Sequence, residues 1–250
     1  MIRLHHVPQT RSMRVLWLLH ELGVPFELCR HPFDRTLRQP DFLALSPAGR
    51  VPALEIDGAT MFESGAMVEY LCERFPEAGL GRAPGAAERM AWLIWVHFAE
   101  TVSQHVANLT QQHIVLREDA MRSPVLMRLE AARLGKCYAA IEARLSEPPE
   151  GRPHLLSGGF SACDICVGQA VFMGRHFARL DGFPRTAAWY ARITARPGFR
   201  ASLPAPGEPR LYARDFYPPR DDLEPAVAGG GGGQGDGGSD AGRGDGGGHG

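Results

Sequence analysis

Leu54-Glu55-Ile56-Asp57-Gly58-Ala59-Thr60-Met61-Phe62-Glu63-Ser64-Gly65-Ala66 is the stretch on which the reading of this chain turns. Asp57-Gly58 tolerates the positive φ angles of a tight turn, so the short runs on either side of it read as the two strands of a hairpin. Ser64 stands where a helix N-cap belongs, and the amphipathic segment it opens stops at Pro76. A helix start carries unpaired N–H groups and the positive end of the helix dipole, so it is an anion site as well as a cap. Glu63 directly precedes it. A carboxylate beside such a helix end suits a ligand carrying both charges, such as the α-amino and α-carboxyl groups of an amino acid. Taken alone, the pair also fits an ordinary capped helix.

Upstream, Ile2 and Leu4 alternate with Arg3 and His5 as in a short strand, and residues 7–12 form a polar loop. Val15, Leu16, Leu18, Leu19 and Leu22 then recur at helical spacing until Gly23 and Pro25 stop them. Phe26-Glu27-Leu28-Cys29 reads as a second strand. Strand, helix and strand within about thirty residues is the size of a βαβ unit with parallel strands. Residues 32–48 look irregular, with one helical turn at 41–45. Pro52 cannot donate to a ladder, so it marks an edge, a turn or a cis bond. The sum is βαβ, a loop, then ββα: a small α/β layer.

Downstream, residues 79–85 hold three glycines and a proline and read as a linker. Residues 86–116 then predict one long helix with an apolar stripe of Trp95, Phe98, Val102, Val106 and Leu109. A second stripe on it is polar: His97, Thr101, His105, Asn108 and Gln112, suited to a solvated face or to a cleft. Ser123-Pro124 opens a further helix to about 145, with Leu126, Leu129, Ala132, Leu134, Tyr138, Ile141 and Leu145 available for a core. Ser161-x-x-Asp164 is a capping-box variant before the apolar run 165–177, and another helix over 184–196 ends at Pro197-Gly198. No strand signal follows residue 86. From 204 onward proline, charge and isolated aromatics suggest a strap on the surface.

The organisation expected is therefore α/β plus all-α. It runs as an α/β domain over 1–78, a linker at 79–86, an all-helical domain over 87–205, an extended surface segment at 206–227 and a Gly-rich tail at 228–250. Of the 23 residues in that tail 14 are Gly, and such a segment cannot bury enough apolar area to offset its ordering entropy.

Composition excludes several classes of function. With 250 residues, 44% hydrophobic and 22% charged, the chain has the make-up of a soluble globular protein with a sizeable core. A net charge of −1, from 27 basic and 28 acidic residues, advertises neither nucleic acid nor an anionic membrane. No run reaches the length of a membrane span, and residues 15–19 are too short and too late for a signal peptide. Five cysteines, an odd number in a chain that needs no staples, fit a reducing cytoplasm. Cys163 and Cys166 form a C-x-x-C, but their helical context and the lack of a second ligand pair argue for packed thiols, and no metal is expected.

Several motifs, in order, resemble one family. Arg14-Val15-Leu16-Trp17-Leu18-Leu19-His20-Glu21-Leu22-Gly23-Val24-Pro25-Phe26-Glu27, behind His5-His6, is similar to the first strand and helix of a bacterial and fungal branch of the cytosolic glutathione transferases. Gly49-Arg50-Val51-Pro52-Ala53-Leu54 and Glu63-Ser64-Gly65-Ala66 resemble its two glutathione-binding segments. His97-Phe98-Ala99-Glu100 and Phe160-Ser161-Ala162-Cys163-Asp164-Ile165 resemble parts of its helical domain. The resemblance covers about residues 1–205. It implies a thioredoxin-like N-terminal domain, a C-terminal helical bundle, a cytoplasmic enzyme and a homodimer. It also implies roles: Val51 pairing its backbone with the cysteinyl part of glutathione beside a cis Pro52, Ser64 taking the γ-glutamyl carboxylate, Glu63 its amino group, and Arg50 approaching the glycyl carboxylate, where lysine or glutamine is common.

Transfer chemistry needs the thiolate, and a hydroxyl donor near the start of the first helix would stabilise it. In this branch a serine lies four residues before the position of Arg14; here that residue is Thr10. Ser12 is the second candidate, with N-cap of the first helix as its other role. No cysteine or tyrosine lies in the loop, which argues against a mixed-disulfide mechanism. The function implied is glutathione transfer to a small hydrophobic electrophile, or peroxide reduction, with isomerase or dehalogenase chemistry on the same thiolate also open. The electrophile is expected between the loop and the polar stripe of the long helix. A non-catalytic module that binds glutathione or a protein partner is the alternative.

Overall fold

The structure, a computed structural model, describes residues 1–148 and 151–219. The Gly-rich segment and the end of the extended segment before it lie outside the described residues. Strand β1 (Arg3–His6) leads through a buried loop to α1 (Ser12–Leu22), and β2 (Glu27–Arg30) returns parallel to β1. The helix stops because Gly23 takes a left-handed φ of 65° and turns its N–H onto His20 O. The stretch expected to be irregular holds a 3-10 turn (Arg35–Arg38) and the short helix α2 (Pro40–Leu45). Strands β3 (Ala53–Ile56) and β4 (Ala59–Phe62) form the hairpin, both Asp57 and Gly58 taking positive φ, and α3 (Ser64–Arg74) completes the unit.

The sheet runs β2-β1-β3-β4, with β3 antiparallel to β1. Alternation along the strands decides which helix covers which face. Leu4, Leu54 and Ile56 enter one core with Trp17 of α1 and Met67, Val68 and Leu71 of α3. His5 turns the opposite way, onto Phe42 of α2. This is a thioredoxin-like layer.

A helical domain follows: α4 (Arg89–Thr110), α5 (Pro124–Leu145), α6 (Ala162–Gly174), α7 (Pro184–Thr194) and α8 (Pro197–Ala201). Every residue of α6 is buried, as befits a helix that is apolar all round. Its start is the capping box read from sequence, Asp164 accepting the Ser161 N–H at 3.0 Å, and the same carboxylate takes the Trp189 indole N–H at 2.8 Å. At Gly168 a Cβ would fall 3.3 Å from the Trp17 ring and 2.5 Å from Ile193, so only glycine lets α6 lie against both α1 and α7.

Four expectations need correction. The long helix spans the expected region, but its final turn, Gln111–Val115, widens to a π-helix. Val102, Val106 and Leu109 of the expected stripe are buried, together with Trp92, Val96, Ala99 and Ser103, but Trp95 and Phe98 are only half-buried and pair edge-to-face with each other. Pro197-Gly198 does not merely end a helix: Pro197 has no N–H to lose in a first turn, and α8 begins there. The strap is not purely superficial, since Tyr212 and Tyr217 are buried against His176 and Phe177.

Candidate active site

The loop between β1 and α1 is built from hydroxyls turned inward. Thr10 Oγ1 lies 2.8 Å from Ser12 Oγ and donates to Val7 O at 2.8 Å. Ser12 Oγ accepts the Val7 N–H at 3.1 Å and lies 2.8 Å from His6 Nδ1. Ser12 is fully buried, whereas Thr10 retains 9% exposure and is the outer of the two. Neither is the N-cap of α1, which is Arg11, without a side-chain bond; Ser12 is the first residue, and its N–H donates to Thr10 Oγ1 at 3.4 Å. The N-cap role expected for Ser12 is thus replaced by bracing of the loop backbone. Gln9 holds a φ of 56°, and its side chain accepts the Tyr212 N–H at 3.0 Å. From α6, buried Gln169 donates to Thr10 O at 3.2 Å. Two regions distant in sequence, α6 and the segment after α8, thereby hold one loop.

The second half of the site is the start of α3. Ser64 is the first residue of that helix, not its cap, and its hydroxyl accepts from Arg14 Nη1 at 3.1 Å. The N-cap is Glu63, an exposed residue at φ 75° and ψ 105°. A non-glycine residue there costs on the order of 1–3 kcal/mol, and such strain persists where the surroundings impose it. Val51 precedes β3 and lies beyond the last rungs of both ladders, His5 with Ala53 and Ala53 with Phe62, so its backbone faces away from the sheet's own pairing. Arg50 is exposed beside it.

Arg14 joins the halves. Its guanidinium has no exposed surface and donates to Ser64, to Glu100 of α4 and, at 3.2 Å, to Ser103. Arg11 reaches the other oxygen of Glu100 at 3.1 Å. Burial lowers the Arg11 pKa, Glu100 opposes that shift, and Arg14 and Arg50 are near enough to add to it. His6 is held at about 4 by burial first and by the charge of Arg30 second. The result is a site rich in cations and donors, with one exposed carboxylate, Glu63, at its rim. It suits an anionic or zwitterionic ligand.

The sequence-predicted residues thus occupy two adjoining segments, Thr10 and Ser12 in the loop, and Arg50, Val51, Pro52, Glu63 and Ser64 around the α3 start. Sequence reasoning missed Arg11, Arg14, Glu100 and Gln169. A lone arginine inside an otherwise apolar run was the available signal for Arg14. The polar stripe of α4 does not face the loop. His97 bonds Glu69 of α3 at 2.9 Å, His105 and Asn108 bond Glu130 of α5 at 2.7 and 3.2 Å, and Gln112 accepts the Ser123 N–H at 2.7 Å. The groups that reach the loop and the start of α1 are instead Glu100 and Ser103 of α4, on Arg11 and Arg14, with Gln169 and Tyr212. A groove of about 280 Å³ bounded by Met1, Arg3 and Thr60 contains none of these residues.

Cys163 and Cys166 are buried free thiols, burial raising both pKa values, that of Cys166 to about 12. No metal-holding group of three or more His, Cys, Asp or Glu occurs among the described residues, and no helix there is long and apolar enough to cross a membrane.

Comparison with known proteins places the chain in a family. Residues 4–79 match a family model described as glutathione S-transferase, N-terminal domain. A probable glutathione S-transferase GSTF1 of Oryza sativa subsp. japonica is 30% identical over 213 residues, covering 79% of this chain and 93% of that protein. The crystal structure of a glutathione transferase from Methylococcus capsulatus is 26% identical with a TM-score of 0.68, covering 81% of this chain and 97% of that one. The Phanerochaete chrysosporium glutathione transferase URE2P8, solved with oxidized glutathione, has the same fold, with a TM-score of 0.72 at 24% identity over 80% of this chain and 92% of that one.

Proposed function

The chain belongs to the glutathione S-transferase family and is a glutathione transferase, and from that premise we propose that Thr10 and the α3 start hold glutathione with its sulfur ready to attack. The observation that carries this reading is the Arg14 bridge, which ties Ser64 and, through Glu100 and Arg11, the Thr10 loop into one network. The γ-glutamyl carboxylate docks on Ser64 and the first N–H groups of α3, Glu63 takes the amino group, the Val51 backbone pairs with the cysteinyl residue before Pro52, and Arg50 meets the glycyl carboxylate. These remote contacts place the sulfur beside Thr10.

Thr10 replaces the serine of the branch that this chain resembles, and its hydroxyl is the donor to the thiolate. Ser12, wholly enclosed, braces Thr10 without touching the sulfur. A free thiol of pKa about 8.5 is only a few per cent ionised at neutral pH; a hydrogen bond to the anion and the positive end of α1 raise that fraction, with the proton passing to solvent. The thiolate then forms a bond to an electrophilic carbon, and the electron pair leaves with the displaced group. A small hydrophobic electrophile meets the sulfur beside Thr10.

Exposed Phe62 on β4, Met90 and Ile94 on α4, and Val125 and Leu129 on α5 support a homodimer built on these elements.

Conjugation kinetics with an activated aromatic electrophile test the assignment. Thr10→Ala is expected to lower kcat/KM about 100-fold with little change in glutathione affinity. Ser64→Ala is expected to raise the glutathione KM about tenfold with kcat largely kept. Wild-type turnover in Thr10→Ala would remove Thr10 from the reaction.

A further inference from the structure

His6 has no task in the reading above. It is buried at the end of β1, with Nδ1 2.8 Å from Ser12 Oγ, which is itself 2.8 Å from Thr10 Oγ1. Hydrogens have to be shared out along that row. Ser12 Oγ accepts the Val7 N–H and has a single hydrogen to give; Thr10 Oγ1 also has one. Val7 O lies within reach of both, 2.8 Å from Thr10 and 3.1 Å from Ser12.

With a bare Nδ1, Ser12 must donate to His6, and Thr10 must donate to Ser12 to close their contact. Nothing is then left for Val7 O or for a sulfur. With a hydrogen on Nδ1 the row runs the other way. His6 donates to Ser12; Ser12, now accepting twice, donates to Thr10; and the hydrogen of Thr10, resting on Val7 O, is available to turn outward.

We propose that His6, as the neutral Nδ1–H tautomer, is a positioning residue that sets the direction of a His6–Ser12–Thr10 hydrogen-bond row, so that Thr10 donates to the sulfur of glutathione. The inference rests on the reading of Thr10 given above and makes Ser12 the link between the two. His6 does not serve as a base: burial, then Arg30, hold its pKa at about 4. That lies far below the thiol value of about 8.5, so His6 stays neutral while the thiol ionises.

Two measurements on the full chain test it. In histidine-labelled protein with glutathione bound, nitrogen shifts report the tautomer, His6 being identified among the ten histidines by the signals lost in His6→Asn. A hydrogen on Nδ1 is expected; the Nε2–H tautomer overturns the proposal. The second measurement is the pH midpoint of the ultraviolet thiolate band of bound glutathione. His6→Leu leaves Ser12 free to donate either way and Ser12→Ala removes the hydrogen bond that polarises the Thr10 hydroxyl, so each is expected to raise it by about one pH unit, with a fall of about tenfold in kcat/KM below that midpoint and a glutathione KM within about twofold of wild type. His6→Asn, whose amide N–H falls near the place of Nδ1, is expected to keep most of the wild-type midpoint. An unchanged midpoint in His6→Leu, or a loss in His6→Asn equal to that in His6→Leu, overturns the proposal. Thr10→Ala separates the two levels. If it moves the midpoint where His6→Leu does not, the row alone fails; if neither moves it, the role of Thr10 fails as well.

Discussion

Arg14 is a charged group with no exposed surface, and its one carboxylate partner, Glu100, is partly open to solvent. Removing that partner leaves a buried cation with hydroxyls only. Glu100→Gln is therefore expected to cost about 2 kcal/mol at neutral pH, less than a fully enclosed pair would because solvent screens the carboxylate. The pH dependence has a definite sign. Burial raises the Glu100 pKa, but Arg14 and Arg11 outweigh it and hold the native value below the ordinary one. The stabilisation is then complete above the unfolded-chain value of about 4.3 and is lost as pH falls through the native value. Urea midpoints of wild type and Glu100→Gln should differ at neutral pH and converge in acid; a constant gap would refute the pairing. At this scale the sequence was legible only in part. Ser64 was visible as a helix-start residue, yet its hydroxyl answers to Arg14, fifty residues earlier, rather than to its own helix. A hydrogen bond across that separation leaves no local pattern, whereas the Asp57-Gly58 turn, which is local, was readable directly.

Among the elements, α4 shows where periodicity stops informing. Two apolar stripes run along it, one through Trp95 and Phe98 and one through Trp92, Val96 and Ala99, and spacing alone does not say which meets α6. The second does, because small Ala99 and Ser103 admit close approach and let Ser103 meet Arg14. The cleft reading of the polar stripe fails for the same reason: its partners, Glu69 and Glu130, lie on other helices, while His97 and Thr101 are exposed as on a solvated face. The strap after α8 is likewise tied down by distant groups, Glu208 to Arg30 at 2.8 Å, Tyr212 N–H to Gln9, and Tyr212 Oη 2.9 Å from Thr110 Oγ1. Tyr212→Ala is expected to lower stability by about 3 kcal/mol through the lost ring. Amide exchange should accelerate in residues 9–12 and stay unchanged in the middle of α4. Unaltered exchange in the loop would show that the strap does not hold it.

For the molecule as a whole, one apolar cluster runs from the sheet through α1 into α6 and α8, so the two halves share a core. The class of fold was readable because the change from short strands to long helices is abrupt and the capping box of α6 is self-contained. At this scale the proposed homodimer can be tested. Ile94→Glu puts a charge among the exposed apolar residues of α4 and is expected to turn dimers into monomers in sedimentation velocity, with helicity retained; a dimer undisturbed by the change would place the interface elsewhere. The bond between Gln9 and the Tyr212 N–H spans 203 residues. During synthesis the loop bearing Thr10 is made about two hundred residues ahead of one of its braces. A nascent chain therefore cannot finish its reactive centre until Tyr212 has been made, and activity should appear only in chains that extend past that residue.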